Sequence, residues 1–252
     1  MHSASDPRGM AKTTLEEIGM PSSLEGRNVV VTGGIGALGQ VVVARFLKAG
    51  AICHVPSRRA AERPACWGEG QASIVPGVDL TDEGAVGRFY DAVPDLWASV
   101  HLAGGFAMAP LADTSRADFL RMMETNAVAT FICCRAAARG MRKTGQGGRI
   151  VNVSARPGLD PRKGGGMVAY AASKAAVTAI TLALAEELKN DRILVNAVAP
   201  STIDTPANRE AMPNADTSKW LSPKAAAEAI LQLASPSNME INGAVLPLFA
   251  RA

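Results

Sequence analysis

The chain has 252 residues, of which 48% are hydrophobic and 19% are charged, and its formal net charge is +3. This length allows one large core or two small ones, and the composition is that of an ordinary globular protein. The Lys and Arg residues form no run and no stretch of about 18 apolar residues occurs, so neither a nucleic-acid surface nor a transmembrane helix is predicted.

Residues 1–23 lack the apolar segment of a signal peptide. We expect them to form a poorly ordered or loosely packed extension, followed by one domain over residues 24–252. The cysteines form no CxxC pair, and the three His lie far apart without acidic or Cys companions at metal spacing. Reduced thiols in a cytoplasmic protein are therefore expected, with no disulfide framework and no metal site.

Short apolar runs alternate with longer helical patterns along the chain. Strands are predicted within residues 28–34, 51–57, 72–80, 97–105, 147–154, 192–200 and 242–248. Helices are predicted at 37–50, 81–93, 115–141 and 167–190. Strands that are apolar throughout are buried on both faces, which is typical of a parallel sheet built from βαβ units. The prediction is an α/β protein with a single-domain Rossmann-type doubly wound sheet of about seven parallel strands flanked by helices.

A glycine-rich turn follows the first predicted strand. In VVVTGGIGALG, the glycines Gly33, Gly36 and Gly39 lie between a strand and a helix. Glycines here let backbone N–H groups approach a pyrophosphate at the helix N-terminus. We therefore predict that these glycines, with Leu38 in the same turn, bind a dinucleotide; an ordinary strand-to-helix turn is the alternative.

The end of the second strand bears on which dinucleotide binds. It reads VPSRR, with Ser57, Arg58 and Arg59 where NAD enzymes often have an acidic residue. An arginine fork suits a 2′-phosphate, so NADP(H) is favoured over NAD(H), which stays possible; two solvated arginines are the alternative. Asp79 and Leu80 follow the third strand. Asp79 is predicted either to accept a hydrogen bond from the adenine amine or to cap the next helix.

Tyr170 and Lys174 lie four residues apart in the helical stretch MVAYAASKAAV. Positions i and i+4 share a helix face, so the phenol and the ammonium point the same way. A nearby ammonium favours the phenolate, which suits the phenol to acid–base catalysis near neutral pH. The alternative is an interface Tyr beside a Lys whose stem packs on apolar surface.

Together with LAGG at 102–105, Asn126, IVNVS and PSTIDT at 200–205, these motifs make the chain resemble the short-chain dehydrogenase/reductase family over about residues 26–249. The resemblance implies hydride transfer between NAD(P) and a carbonyl or alcohol carbon. It implies that Tyr170 is the general acid/base, that Lys174 lowers its pKa and holds the nicotinamide ribose, and that Asn126 positions a water.

The resemblance also assigns the remaining cofactor contacts. Ala103 and Gly104 line the cofactor groove, and Ile203 and Thr205, after Pro200, contact the nicotinamide carboxamide. Members of the family commonly pair through the helices equivalent to 115–141 and 167–190. A homo-dimer or homo-tetramer is therefore expected, with a small-molecule substrate and no nucleic-acid or membrane partner.

The sequence departs from the family pattern at the active-site serine. The family has two serines after the fifth strand, the second of which is the active-site serine, whereas in VNVSARPG this pair reads Ser154-Ala155. Either Ser154 takes over this role, or no side-chain hydroxyl polarises the substrate. The glycine turn and HLAG after the fourth strand also depart from the family pattern. With these three departures, the chain resembles a branch of the family that contains dihydropteridine reductases, which reduce a conjugated C=N bond.

The function predicted first is hydride transfer between NADP(H) and a small carbonyl or alcohol substrate. Alternatives are a C=N reductase, a dinucleotide-binding sensor with weak chemistry, and a structural subunit of a hetero-oligomer. The substrate pocket is expected to be bounded by residues 106–114, 155–168 and 202–223. The segment 202–223 is rich in Pro, Asn and Asp and has little regular pattern, so it is predicted to be a lid over the substrate.

Overall fold

A computed structural model describes residues 24–251 of the chain. Its seven strands form one parallel sheet with the order β3-β2-β1-β4-β5-β6-β7. They are β1 (Asn28–Thr32), β2 (Ile52–Pro56), β3 (Ala72–Val75), β4 (Leu96–His101), β5 (Gly148–Val153), β6 (Ile193–Pro200) and β7 (Val245–Leu248). The predicted fold class is confirmed. The extension predicted at residues 1–23 lies outside the described residues.

Helices cover both faces of this sheet. They are α1 (Ala37–Lys48), α2 (Glu83–Asp91), α3 (Arg116–Met122), α4 (Ala129–Thr144), α5 (Arg156–Leu159), α6 (Val168–Glu187), α7 (Pro206–Ala211) and α8 (Pro223–Ala234). Successive residues of β1 point to opposite faces: Val29 and Val31 pack with Phe46 of α1, whereas Val30 packs with Met141 of α4. All five residues of β1 are buried, as a strand covered on both faces requires.

The long helix predicted at 115–141 is interrupted. α3 ends at Met122, a π-helical turn spans Met123–Val128, and α4 continues to Thr144. A π turn adds a residue to the helical repeat and is common at functional sites. Asn126 lies inside this turn and is fully buried.

The connection from β2 to β3 contains no α-helix, only a short 3₁₀ turn at Ala65–Trp67. Trp67 is buried, and its indole N–H donates to the Gln40 carbonyl of α1 at 3.2 Å. Arg63 holds the segment together by donating to the carbonyls of Gly68 and Ala72, each at 3.0 Å. One side of α1 is thus covered by a loop instead of a crossover helix.

By length and mean hydropathy α6 could cross a membrane, although it contains no uninterrupted run of 18 apolar residues. In this fold α6 packs against β5 and β6 and contributes to the core beneath the sheet. That packing accounts for the apolar side chains on its buried face, whereas Val168 and Leu182 stay exposed on the other side.

The predicted lid contains more regular structure than its sequence suggests. Residues 206–211 form α7, and Ile203 pairs with Leu221 in a parallel bridge that closes the segment at its base. The amide of Asp204 also donates to the Leu221 carbonyl at 2.9 Å. The segment is therefore a loop tied at its two ends, next to the carboxyl end of β6.

Candidate active site

The glycine turn between β1 and α1 is shaped for close approach of the backbone. Gly33 has a positive φ of 68°, and a Cβ there would lie 2.7 Å from the Ala103 amide nitrogen. A Cβ on Gly39 would collide with the Gly33 carbonyl oxygen. Gly36 is the N-cap of α1, where no side chain caps the helix and no acidic residue lies in the first turn. The free N–H groups and the helix dipole fit a pyrophosphate.

The residues predicted to bind the adenosine end of the cofactor lie at the carboxyl ends of β2 and β3. Ser57 is buried and its hydroxyl donates to the Arg59 carbonyl at 2.7 Å, while Arg58 and Arg59 are exposed. Asp79 accepts from the Thr81 amide at 2.9 Å and the Thr81 hydroxyl at 2.8 Å. These bonds, and to a smaller extent the Arg58 charge, lower the pKa of Asp79.

Two roles were left open for Asp79: binding the adenine amine of the cofactor, or capping α2. The hydrogen bonds at the start of α2 decide between them. Asp82, not Asp79, caps α2, accepting from the amides of Gly84 and Ala85 at 2.8 and 3.1 Å. The capping interpretation of Asp79 is therefore wrong. Leu80 is half-buried and packs on the apolar cluster beneath the sheet.

Asn126, Gly104 and Lys174 meet at the carboxyl ends of β4 and β5. A Cβ on Gly104 would lie 2.6 Å from Asn126 Oδ1 and 3.4 Å from Lys174 Nζ. The Asn126 amide clamps Gly105, accepting from its N–H at 2.8 Å and donating to its carbonyl at 3.1 Å. It also donates to Ser173 Oγ at 2.9 Å. The sequence motif thus forms one connected cluster.

Lys174 is 7% exposed, and its ammonium donates to the Val153 carbonyl at 2.8 Å. Burial lowers the pKa of Lys174 to about 8, because the charged form loses water. The Lys174 ammonium is therefore able to release and regain a proton close to neutral pH.

Tyr170 is half-buried at the start of α6, and its ring meets that of Phe106 edge-on, with centroids 4.9 Å apart. Burial raises the pKa of Tyr170 to about 12. The sequence predicted the opposite direction, on the ground that Lys174 would stabilise the phenolate. In the structure the Lys174 ammonium is directed at the Val153 carbonyl, so the desolvation of Tyr170 dominates.

Ser154 does not present its hydroxyl to solvent. The residue is 1% exposed, and Oγ donates to the Lys174 backbone carbonyl at 2.9 Å and lies 2.8 Å from the Thr178 hydroxyl. Gly158 packs directly over it, since a Cβ there would lie 2.5 Å from Ser154 Oγ. Of the two readings of VNVSARPG, this geometry favours the one in which no serine polarises the substrate.

The other predicted cofactor contacts line the same edge of the sheet. The Ala103 amide donates to Thr32 Oγ1 at 3.3 Å, which places Ala103 beside the glycine turn. Pro200 is the last residue of β6 and Ile203 follows it. The Thr205 hydroxyl accepts from the Asn208 amide at 3.3 Å and so caps α7.

A buried polar network under the site was missed by sequence reasoning. His101 Nδ1 lies 2.7 Å from Asn152 Oδ1, and His101 Nε2 lies 2.8 Å from Ser99 Oγ, which in turn lies 2.8 Å from the Tyr90 hydroxyl. Burial lowers the pKa of His101 to about 4, so the imidazole is neutral. The signal was present: Ser99 and His101 alternate in the otherwise apolar strand β4, and so share one face. The ring contact of Phe106 with Tyr170 was not predicted either, although residues 106–114 were expected to border the substrate pocket.

The fold and the site define a dinucleotide-dependent oxidoreductase built on one Rossmann-type sheet. The model of the short chain dehydrogenase family matches residues 27–216, and the chain belongs to that family. Galactitol 2-dehydrogenase of Rhizobium johnstonii is 35% identical over 241 residues, covering 88% of this chain and 93% of the relative. Sorbitol dehydrogenase of Cereibacter sphaeroides is 29% identical over 187 residues, 72% of each chain.

Solved structures agree with this assignment. The structure of ElxO with NADP bound superimposes with a TM-score of 0.81 at 27% identity, covering 88% of this chain and 97% of that one. The protein is thus an NAD(P)-dependent short-chain oxidoreductase acting on a small-molecule substrate. The hypotheses of a non-catalytic sensor and of a structural subunit are not retained.

Proposed function

We propose that the protein reduces a small carbonyl substrate to an alcohol with NADPH, and that Tyr170 is the proton donor. The observation that carries this is the meeting of Lys174 and Asn126 at Gly104, beside an uncapped α1 N-terminus. Tyr170 lies one helical turn before Lys174 on α6, and Ser173 Oγ links its backbone carbonyl to Asn126. NADP(H) supplies or accepts the hydride when it is bound.

The residues assigned to NADP(H) fall into three groups along the sheet edge. The glycine turn, with Leu38, would hold the pyrophosphate, and the neighbouring loops the 2′-phosphate and adenine. The preference for the phosphorylated cofactor is supported by the exposed pair Arg58 and Arg59 and by the NADP found in ElxO. The nicotinamide end would lie against the third group, at the carboxyl ends of β4, β5 and β6. The three groups are Gly33, Gly36, Leu38 and Gly39; Ser57, Arg58, Arg59, Asp79 and Leu80; and Ala103, Gly104, Tyr170, Lys174, Pro200, Ile203 and Thr205.

The ionisation of the two central groups suits proton donation to a carbonyl oxygen. With a pKa of about 12, Tyr170 keeps its proton at neutral pH and is ready to donate it to a carbonyl oxygen. Lys174, with a pKa of about 8, is able to return a proton to the site. The chain from Asn126 through Ser173 Oγ to the Tyr170 carbonyl, with bonds of 2.9 and 2.7 Å, holds the two helices in this arrangement.

Reduction of a C=N bond is the second candidate. The one observation that favours it is the geometry of Ser154, whose hydroxyl is bonded to the α6 backbone. An iminium-like carbon is more electrophilic than a ketone and needs less polarisation.

Oxidation of a sugar alcohol is the activity that the names of the galactitol and sorbitol relatives suggest for this chain.

Replacement of Tyr170 by Phe tests the proposal. The ring and its packing on Phe106 are retained, so NADPH binding should persist while turnover falls by about 10²- to 10⁴-fold, the usual contribution of a general acid. The matched control is Tyr90→Phe, the only other tyrosine, whose hydroxyl lies in the buried network and not in the site. Wild-type turnover by the Tyr170 variant would remove Tyr170 from the mechanism.

We further propose a homo-dimer or homo-tetramer located in the cytoplasm, with residues 24–252 as the catalytic domain and 202–223 as its lid. The exposed apolar side chains Phe131 of α4 and Leu182 of α6 support pairing through these helices. The four cysteines are free, which is consistent with a reducing compartment. Light scattering at micromolar concentration measures the assembly, and a monomer would contradict it.

A further inference from the structure

An apolar surface lies directly beside Tyr170. Phe106 rests its ring against the phenol, yet 63% of Phe106 is exposed. Met108 and Leu111 on the same segment are 64% and 76% exposed. Large apolar side chains this open to water are costly, and when they lie together next to a reactive group they mark a surface that binds an apolar ligand.

The segment that carries these side chains is held at both ends. At its start, the Gly105 backbone is clamped by the Asn126 amide. Further along, the Ala109 amide donates to the Gly166 carbonyl at 2.8 Å, just before α6. The Met108 methyl reaches the same glycine, since a Cβ on Gly166 would lie 3.4 Å from it. The part of the segment that carries Phe106 and Met108 is therefore fixed relative to Tyr170.

The chemistry of this surface differs from that of a sugar site. Residues 102–112, LAGGFAMAPLA, carry no charged side chain and no side-chain hydrogen-bond donor. A polyhydroxylated substrate needs several polar partners, and a site that leaves its hydroxyl groups unpaired selects against it. Phe106 offers instead a ring face or edge, which suits an aryl or branched alkyl group.

We infer that the substrate is an apolar carbonyl compound, with an aryl or branched alkyl group on the carbon to be reduced, and that Phe106 and Met108 bind that group. The inference rests on the proposed function and narrows it. The carbonyl carbon receives the hydride of NADPH and its oxygen receives the Tyr170 proton, so the products are the alcohol and NADP⁺. The Tyr170 phenolate then regains a proton from solvent through Lys174.

The test compares benzaldehyde with a polyhydroxy aldehyde such as erythrose, each reduced with NADPH by the full chain. Wild-type enzyme should favour benzaldehyde in kcat/KM. Phe106→Ala should lower the ratio of the two kcat/KM values by about tenfold or more, mainly through KM for benzaldehyde, because an apolar contact is lost. Phe106→Leu should restore most of the ratio. Met239→Ala is the matched control, since Met239 is 74% exposed on the loop after α8.

Each outcome has a definite meaning. A preference for erythrose, or an equal loss for both aldehydes in Phe106→Ala, would overturn the inference and leave the proposed function intact. If NADPH binds to the wild-type chain by fluorescence but no carbonyl compound in a broad panel is reduced, the proposed function itself fails. An unchanged ratio in Phe106→Ala, with NADPH binding retained, would also exclude Phe106 as the group that selects the substrate.

Discussion

At the scale of single residues, Ser154 shows that a hydroxyl in the expected stretch of sequence need not face the substrate. Its Oγ is bonded to the Lys174 carbonyl and the Thr178 hydroxyl, so it joins the end of β5 to α6. It thereby fixes the turn of α6 that carries the Lys174 ammonium. We interpret Ser154 as a positioning residue.

Ser154→Ala should therefore cost stability more than chemistry. Loss of one buried hydrogen bond should lower the free energy of unfolding by about 1–2 kcal/mol. Turnover should fall by less than about tenfold, well short of the roughly hundredfold expected for a lost oxyanion donor. Urea unfolding and steady-state kinetics measure the two effects, and Thr178→Val, which removes the other half of the contact, should resemble it. A hundredfold rate loss at unchanged stability would restore Ser154 as the polarising group.

The sequence motifs were sufficient to predict that Lys174 and Asn126 would meet beside Gly104, one helical turn from Tyr170. It could not predict the pKa of Tyr170, because burial of the phenol depends on Phe106, which is distant in sequence. Nor could it predict where Ser154 Oγ points, since that follows from a side-chain torsion and from the close packing of Gly158. The spacing of residues along a helix predicts which side chains are neighbours on one face. It does not predict which residues from other segments pack over them.

At the scale of elements, the turn into α1 depends on the absence of side chains. Gly39 is fully buried, and a Cβ there would overlap the Gly33 carbonyl and approach Gly34 Cα to 2.7 Å. A residue with a side chain at this position must open the turn whose N–H groups are proposed to bind the pyrophosphate.

Gly39→Ala should reduce NADPH affinity by at least about tenfold, since the loss of anion contacts at a helix N-terminus and the strain of the opened turn act together. Isothermal titration with NADPH measures the affinity. Gly87→Ala is the control: it lies within α2, its Cβ would meet nothing closer than 3.6 Å, and helix propensity favours Ala. Equal NADPH affinity in the two variants would contradict the role assigned to the turn.

The seven strands and the four predicted helices were found, but α8 (Pro223–Ala234), which buries an apolar face, was missed. The π turn at Met123–Val128 was also missed; it contains Asn126, whose contact with Gly105 joins segments that are distant in sequence. The strand predicted within 72–80 ends at Val75, where Pro76 and Gly77 break the pattern. Pro and Gly signalled that end, but the apolar residues after them obscured it.

At the scale of the whole molecule, the buried network around His101 links stability to pH. The pKa of His101 is about 4 in the folded protein, against 6.5 for the free side chain. Between these pH values His101 binds a proton in the unfolded chain but not in the folded protein. The contribution of neutral His101 to the free energy of unfolding is therefore present above about pH 6.5 and is lost as the pH falls toward about 4.

The free energy of unfolding should therefore drop by about 2 kcal/mol between neutral pH and pH 5 through His101 alone. His101→Gln keeps a polar group in the network but does not titrate, so its urea midpoint should depend less on pH over this range. His54→Gln is the comparison: the pKa of His54 is also lowered, but His54 is only half-buried, so its effect should be smaller. Parallel pH profiles for wild type and the His101 variant would exclude His101 as the source.

The strand order has a consequence for how the chain folds as it is synthesised. β1 pairs with β2 on one side and with β4 on the other, although β2 and β3 are made before β4. Until residue 101 has left the ribosome, the nascent chain carries an unpaired edge of consecutive buried residues, Asn28–Thr32. Such edges recruit other strands, so slow translation between β3 and β4 should favour aggregation of the nascent chain, while chaperones that shield this first half should raise the yield.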